Sequence, residues 1–150
     1  KLSIVGCPDK ERFRPYVKRA ILFYAKELLS SKMMENINLK VKFDREIIDC
    51  YGYASVETRT DYGKARDFLI EMNPKIGARN ILKSLAHEMV HQYQWDIHRF
   101  EECDGKLDKR SGAHGPDFFM FRDRFEHYGL RLKTHYGQKR WLKHQDWYKC

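Results

Sequence analysis

Eighteen consecutive residues, 78–95, contain no proline or glycine and are rich in Leu, Ala, Lys, Met and Gln, all good helix formers. No other stretch constrains the fold as strongly. Wound as a helix, Ile81, Leu85 and Met89 form one apolar row, and Leu82, Ala86, Val90 and Tyr93 form an adjoining one. A helix that is apolar over most of its circumference belongs in the interior of a protein. Beside those rows stand His87, Glu88 and His91. Burying two imidazoles and a carboxylate with nothing to satisfy them is costly, so the trio implies something to bind.

A helix advances about 100° per residue, which places side chains four apart one turn apart on the same face. His87 and His91 can therefore offer two ring nitrogens to a single metal ion. Glu88, on the edge of that face, can reach a metal-bound water without becoming a ligand. This is the H-E-x-x-H pattern of zinc peptidases, and it implies one Zn2+ per chain. A catalytic zinc takes a third protein ligand and leaves its fourth position to water. Three residues qualify. His98 falls one residue out of the metzincin register, and Gln94 occupies the place of the glycine that would turn the chain back. Glu126 would serve as in thermolysin-type sites, but its context is charged. His114 has the best surroundings: Gly112 and Gly115 permit close backbone approach, Pro116 suits the start of a helix, and Phe118 and Phe119 can anchor that helix in the core.

The segments His87-Glu88-Met89-Val90-His91 and Gly112-Ala113-His114-Gly115-Pro116-Asp117-Phe118-Phe119 together resemble the SprT-like metallopeptidase domain, the family of Spartan and bacterial SprT. That family shows an H-E-M-x-H helix followed by a loop and H-G-P-x-F. The resemblance spans residues 13–129. It implies zinc held by His87, His91 and His114, with Glu88 as the catalytic carboxylate. Because relatives such as Spartan cleave proteins crosslinked to DNA, it also implies a part in DNA–protein crosslink repair. There are two departures from the family pattern. The loop 97–113 is long and charged, and Cys150 is the sole cysteine after His114, so the four-cysteine zinc ribbon of many bacterial members is missing from these residues.

The remaining residues read as one α+β unit. Residues 15–36 form an amphipathic helix with Val17, Ile21, Tyr24, Leu28 and Met33 near one face and Pro15 in its first turn. Strands are expected at 38–44, 47–60 and 66–72, with 61–64 as the turn between the last two. A helix over 116–128 ends at Gly129. The expected fold is a small, three-stranded, mainly antiparallel sheet packed with the N-terminal helix, the H-E-x-x-H helix and the following helix. Residues 1–130 make the domain, and 131–150 are a basic, aromatic tail packed on it or extending it. A hydrophobic content of 42% in 150 residues suits a single core, expected to be monomeric. No apolar run approaches the ~20 residues that cross a bilayer. The chain shows no signal-peptide pattern, and Cys7, Cys50, Cys103 and Cys150 form no C-x-x-C pair. These features favour an intracellular, cytoplasmic protein with reduced thiols, in the nucleoid or nucleus if DNA recruits it, and no membrane partner.

The net charge is +8. In the tail, Arg131, Lys133, Lys139, Arg140, Lys143 and Lys149 face Asp146 alone, interleaved with Tyr136, Trp141, Trp147 and Tyr148. Cations beside aromatic rings suit a groove that neutralises phosphates and stacks bases. Arg131, Lys133, Lys139, Arg140, Trp141, Lys143 and Trp147 are thus candidate contacts to single-stranded or junction-like DNA. The expected activity is that of a zinc endopeptidase acting on a protein substrate. Glu88 takes a proton from the attacking water and then delivers it to the leaving amine. Strand 66–72 could accept an extended substrate by strand addition. One alternative is a nucleic-acid-binding module with a structural or vestigial zinc. Glu88 weighs against it, since a closed structural site prefers four protein ligands. A repressor-cleaving H-E-x-x-H peptidase is the other.

Overall fold

The computed structural model describes residues 1–35, 37–47, 51–59, 65–96 and 121–130. Four strands form one mixed sheet: β1 (Leu2–Val5), β2 (Asn38–Phe43), β3 (Gly52–Arg59) and β4 (Ala65–Met72), in the order β1-β2-β4-β3. The helices are α1 (Arg14–Phe23), continued by π-helical turns over Tyr24–Leu29, then α2 (Ala78–Asp96) and α3 (Arg122–His127). The α+β class is as expected, but the sheet differs in detail.

β1 adds a strand that the alternation did not reveal. It has four residues, pairs parallel to β2 from Leu2↔Leu39 to Val5↔Lys42, and is tied at its start by the Lys1 ammonium donating to the Ile37 carbonyl at 2.7 Å. β2 and β4 are also parallel, and β3 returns antiparallel to β4. Two of the three pairings are therefore parallel: the helical crossover lets β1 and β2 run in one direction, and the returning strand β3 lets β2 and β4 do the same. β4 has a neighbour on each side, so residues 66–72 cannot take a substrate strand as expected. Among the described residues, the sheet edge on that side is β3.

Alternation decides which face of the sheet is buried. Leu39, Val41 and Phe43 of β2 and Phe68, Ile70 and Met72 of β4 point into the core, while Lys40 and Lys42 are exposed. One apolar cluster joins these to Val17, Ile21, Tyr24 and Leu28 of the first helix and to Ile81, Leu85, Met89 and Val90 of α2. The first helix stops at Leu29, not at residue 36. Ser30 is extended, and its hydroxyl accepts the Lys32 amide at 3.2 Å, a local bond that competes with helix continuation. A short turn then returns the fully buried Met33 to the core.

α3 closes the molecule over the end of the first helix. Phe125 is fully buried against Tyr24, and Phe121 stands edge-on to Tyr93 of α2 with ring centroids 4.7 Å apart. The Arg124 guanidinium donates to the Leu28 carbonyl at 3.3 Å, serving one of the unpaired acceptors at that helix end. α3 ends as expected at Gly129, whose φ of +74° lets its amide reach Glu126 while the Leu130 amide reaches Phe125. The expected turn at 61–64 and the start of the expected helix at 116 lie outside the described residues. No helix among the described residues is long and apolar enough to cross a membrane, and Cys7 is a free thiol.

Phe125→Ala should lower the unfolding free energy by about 3–5 kcal/mol, because the α3 anchor leaves a cavity beside Tyr24. Leu22→Ala, at a 43% exposed site, should change it by less than about 1 kcal/mol. Urea unfolding followed by circular dichroism measures both.

Candidate metal centre

α2 is fixed on both sides before it presents any ligand. It packs on β3 and β4, and from the first helix the Tyr24 hydroxyl donates to the Leu82 carbonyl at 3.0 Å. Burial pushes the Tyr24 pKa up to about 12, so this hydroxyl stays a donor at any physiological pH. The turn of α2 that follows carries His87, Glu88 and His91, whose ligand atoms all lie within 4.8 Å of one another. Among the described residues this is the group that could hold a metal ion.

The two histidines aim their Nε2 atoms at each other. These stand 3.2 Å apart, with the ring planes inclined at 71°. Two nitrogens bound tetrahedrally at about 2.0–2.1 Å from one zinc would be separated by about 3.3 Å, so the pair fits such an ion without rearrangement. In the absence of a metal the same spacing suits a hydrogen bond from one Nε2–H to the other Nε2. His91 is buried, and burial lowers its pKa to about 4 against a smaller opposing effect of Gln94, leaving a neutral ring at pH 7. Its other nitrogen, Nδ1, lies 2.7 Å from Gln94 Oε1. Donation from Nδ1–H to that oxygen leaves the lone pair on Nε2, facing His87 Nε2. His87 is less buried than Glu88 and His91.

Glu88 is only 6% exposed, and burial raises its pKa to about 8. Its methylene lies against Gly52 of β3, where an added Cβ would come 3.6 Å from Glu88 Cγ, 2.9 Å from Met72 Sδ and 2.7 Å from the Glu71 carbonyl oxygen. A glycine inside a strand marks a close approach. At this one, β3 crosses the helix with no room for a side chain.

Of the third-ligand candidates, Glu126 is placed on the surface of α3, where its carboxylate accepts from Arg122 at 3.0 Å, and it is not part of the group. His98 and His114 lie outside the described residues, as do Arg131, Lys133, Lys139, Arg140, Trp141, Lys143 and Trp147. Tyr93 is packed against Phe121, as expected of a core residue. Sequence reasoning missed two contributors. In the sequence Gln94 stands out only as the absence of a glycine, although a residue three beyond a histidine on a helix is its neighbour. Gly52 was a lone glycine in a strand pattern, which is itself a signal.

No family model, no curated protein and no solved structure matches this chain. The case for the site therefore rests on its own geometry and on the motifs.

Glu88 also gives the metal-free protein a characteristic pH dependence. Its folded pKa, about 8, lies above the ordinary 4.5, so the folded state holds a proton that the unfolded state has lost. Stability should fall as pH rises through that range. His91 acts oppositely below its ordinary value of 6.5. Glu88 is thus most visible between pH 6.5 and 8. Over that window the metal-free parent should lose about 1 kcal/mol per pH unit relative to Glu88→Gln, measured by urea unfolding. A constant difference would place Glu88 in contact with water.

Proposed function

We propose that this chain is a zinc-dependent endopeptidase of the SprT-like type, directed by DNA to proteins associated with or crosslinked to it. The observation that carries the reading is the convergence of His87 and His91 at 3.2 Å with a buried carboxylate one residue away on the same helix. A structural zinc site has no use for that carboxylate. A bound zinc would supply Lewis acidity and an activated water at neutral pH. The remaining chemistry belongs to the chain. Glu88, shielded from bulk water, takes the proton of the attacking water and returns it to the departing amine. A positive ion beside it would offset the cost of burying its charge and bring the pKa back toward the base-competent range. His114 is the proposed third ligand, on its glycine-flanked setting.

The sheet edge supports a polypeptide as the substrate. Among the described residues β3 is the terminal strand, and it meets α2 at Gly52, directly against Glu88. An extended peptide pairing with β3 would lie beside the carboxylate, with main-chain hydrogen bonds providing affinity and little side-chain selection. Selectivity then has to come from recruitment. The excess of cations and the interleaved Trp141 and Trp147 in 131–150 suit DNA, where phosphate contacts bring substrate and enzyme together.

One assay tests both halves, using a protein crosslinked to single-stranded DNA. The parent loaded with one equivalent of zinc should cleave it, and His87→Ala or His91→Ala should lose both metal and cleavage. Glu88→Gln should keep the metal but slow cleavage by at least ~10²–10⁴-fold. Changing Lys139, Arg140 and Lys143 to Glu should spare the zinc and weaken DNA-dependent cleavage, with a flatter salt dependence. Full activity in Glu88→Gln would sink the peptidase mechanism, and cleavage indifferent to DNA would remove the recruitment.

A further inference from the structure

We propose that Gln94 is a positioning residue for the metal centre: its side-chain carbonyl holds His91 Nδ1–H and so keeps the Nε2 lone pair of that ring directed at the metal. The inference rests on the metal-centre reading above. The bond is short, 2.7 Å, and both partners are buried, His91 at 7% and Gln94 at 1% exposure. Both lie on one helix, three residues apart, so the backbone of α2 fixes the donor–acceptor pair with no loop between them.

The chemistry of the amide gives the contact a direction. With Oε1 toward the ring, His91 must carry its proton on Nδ1, and Nε2 is a lone pair facing His87 Nε2 at 3.2 Å. With the amide nitrogen toward the ring, Nδ1 would have to accept, the proton would sit on Nε2, and the ring would be unable to bind a metal there. The amide orientation therefore selects between a ligand and a non-ligand. Metal-bound histidines ordinarily pass their second N–H to a carboxylate, a backbone carbonyl or water. A neutral amide oxygen does the same here and adds no second negative charge beside Glu88.

The neighbouring Gln92 makes an internal control. It is fully buried on the same turn, and neither polar atom of its side chain has a hydrogen-bond partner among the described residues. Removing its amide tests generic packing of α2, whereas removing that of Gln94 tests the bond to His91.

The experiment uses the full chain and zinc alone. Zinc affinity is read by chelator competition for the parent, Gln94→Met, Gln94→Glu and Gln92→Met, and the His91 tautomer is read in the metal-free parent by long-range 15N–1H correlation. Gln94→Met should bind zinc about 10–100-fold more weakly, while Gln94→Glu, which keeps an acceptor oxygen, should stay within about threefold of the parent. Gln92→Met should bind as the parent does, and His91 should carry its proton on Nδ1. A parent His91 protonated on Nε2, a Gln94→Met that binds as tightly as the parent, or equal losses in both Met variants would overturn the proposal. If Gln94→Met fails to fold, the parent tautomer still decides it. A parent that binds no zinc would overturn the metal-centre reading instead, and the tautomer would still judge the role of Gln94.

Discussion

Desolvation on α2 is the constraint to which the other features of this protein answer. The helix that carries Leu85, Met89 and Val90 into the core also carries Glu88, His91, Gln92 and Gln94 out of water. A buried polar group left unmatched costs about 1–3 kcal/mol, and a buried charge costs more. His91 and Gln94 meet that cost by matching each other. Glu88 meets it by holding a proton, as its raised pKa indicates. The same apolar surroundings that make this turn expensive also make it rigid, and rigidity keeps two imidazole nitrogens at metal-binding distance. A divalent ion would reverse the balance at Glu88 by favouring its charged form. The turn that could hold a metal ion is thus also the one that desolvation makes costly in the metal-free fold.

The sheet is organised around the same helix. Parallel pairing of β1, β2 and β4 puts β4 inside, and the antiparallel β3 becomes the edge. That edge meets α2 at Gly52, where the lack of a side chain lets the strand lie on the Glu88 methylene. Any larger residue there would have to move the Glu71 backbone or the sulfur of the fully buried Met72. Among the described residues, edge strand and buried carboxylate therefore meet at Gly52.

Much of this was legible in the sequence, for identifiable reasons. α2 could be read because its apolar rows and its histidines repeat at helical spacing over eighteen residues. β2 and β4 could be read because Leu39-Val41-Phe43 and Phe68-Ile70-Met72 alternate without interruption. β1 could not, since four residues carry too little pattern and its parallel partner lies more than thirty residues away. The end of the first helix at Leu29 is not legible, because Ser30 acts through a local side-chain bond that leaves no periodic trace. Gln94 was hidden for a related reason. Motif reading assigns meaning to ligands, whereas the group that orients a ligand is visible only once the distance between them is known.

Anomalous diffraction at the zinc edge, from crystals of the zinc-loaded chain, tests the central claim most directly. The account predicts one strong peak at about 2.0–2.1 Å from both His87 Nε2 and His91 Nε2, with a non-protein oxygen completing the shell and the Glu88 carboxylate outside bonding distance. A peak bonded to Glu88, a shell closed by four protein ligands, or no peak at this turn of α2 would contradict it.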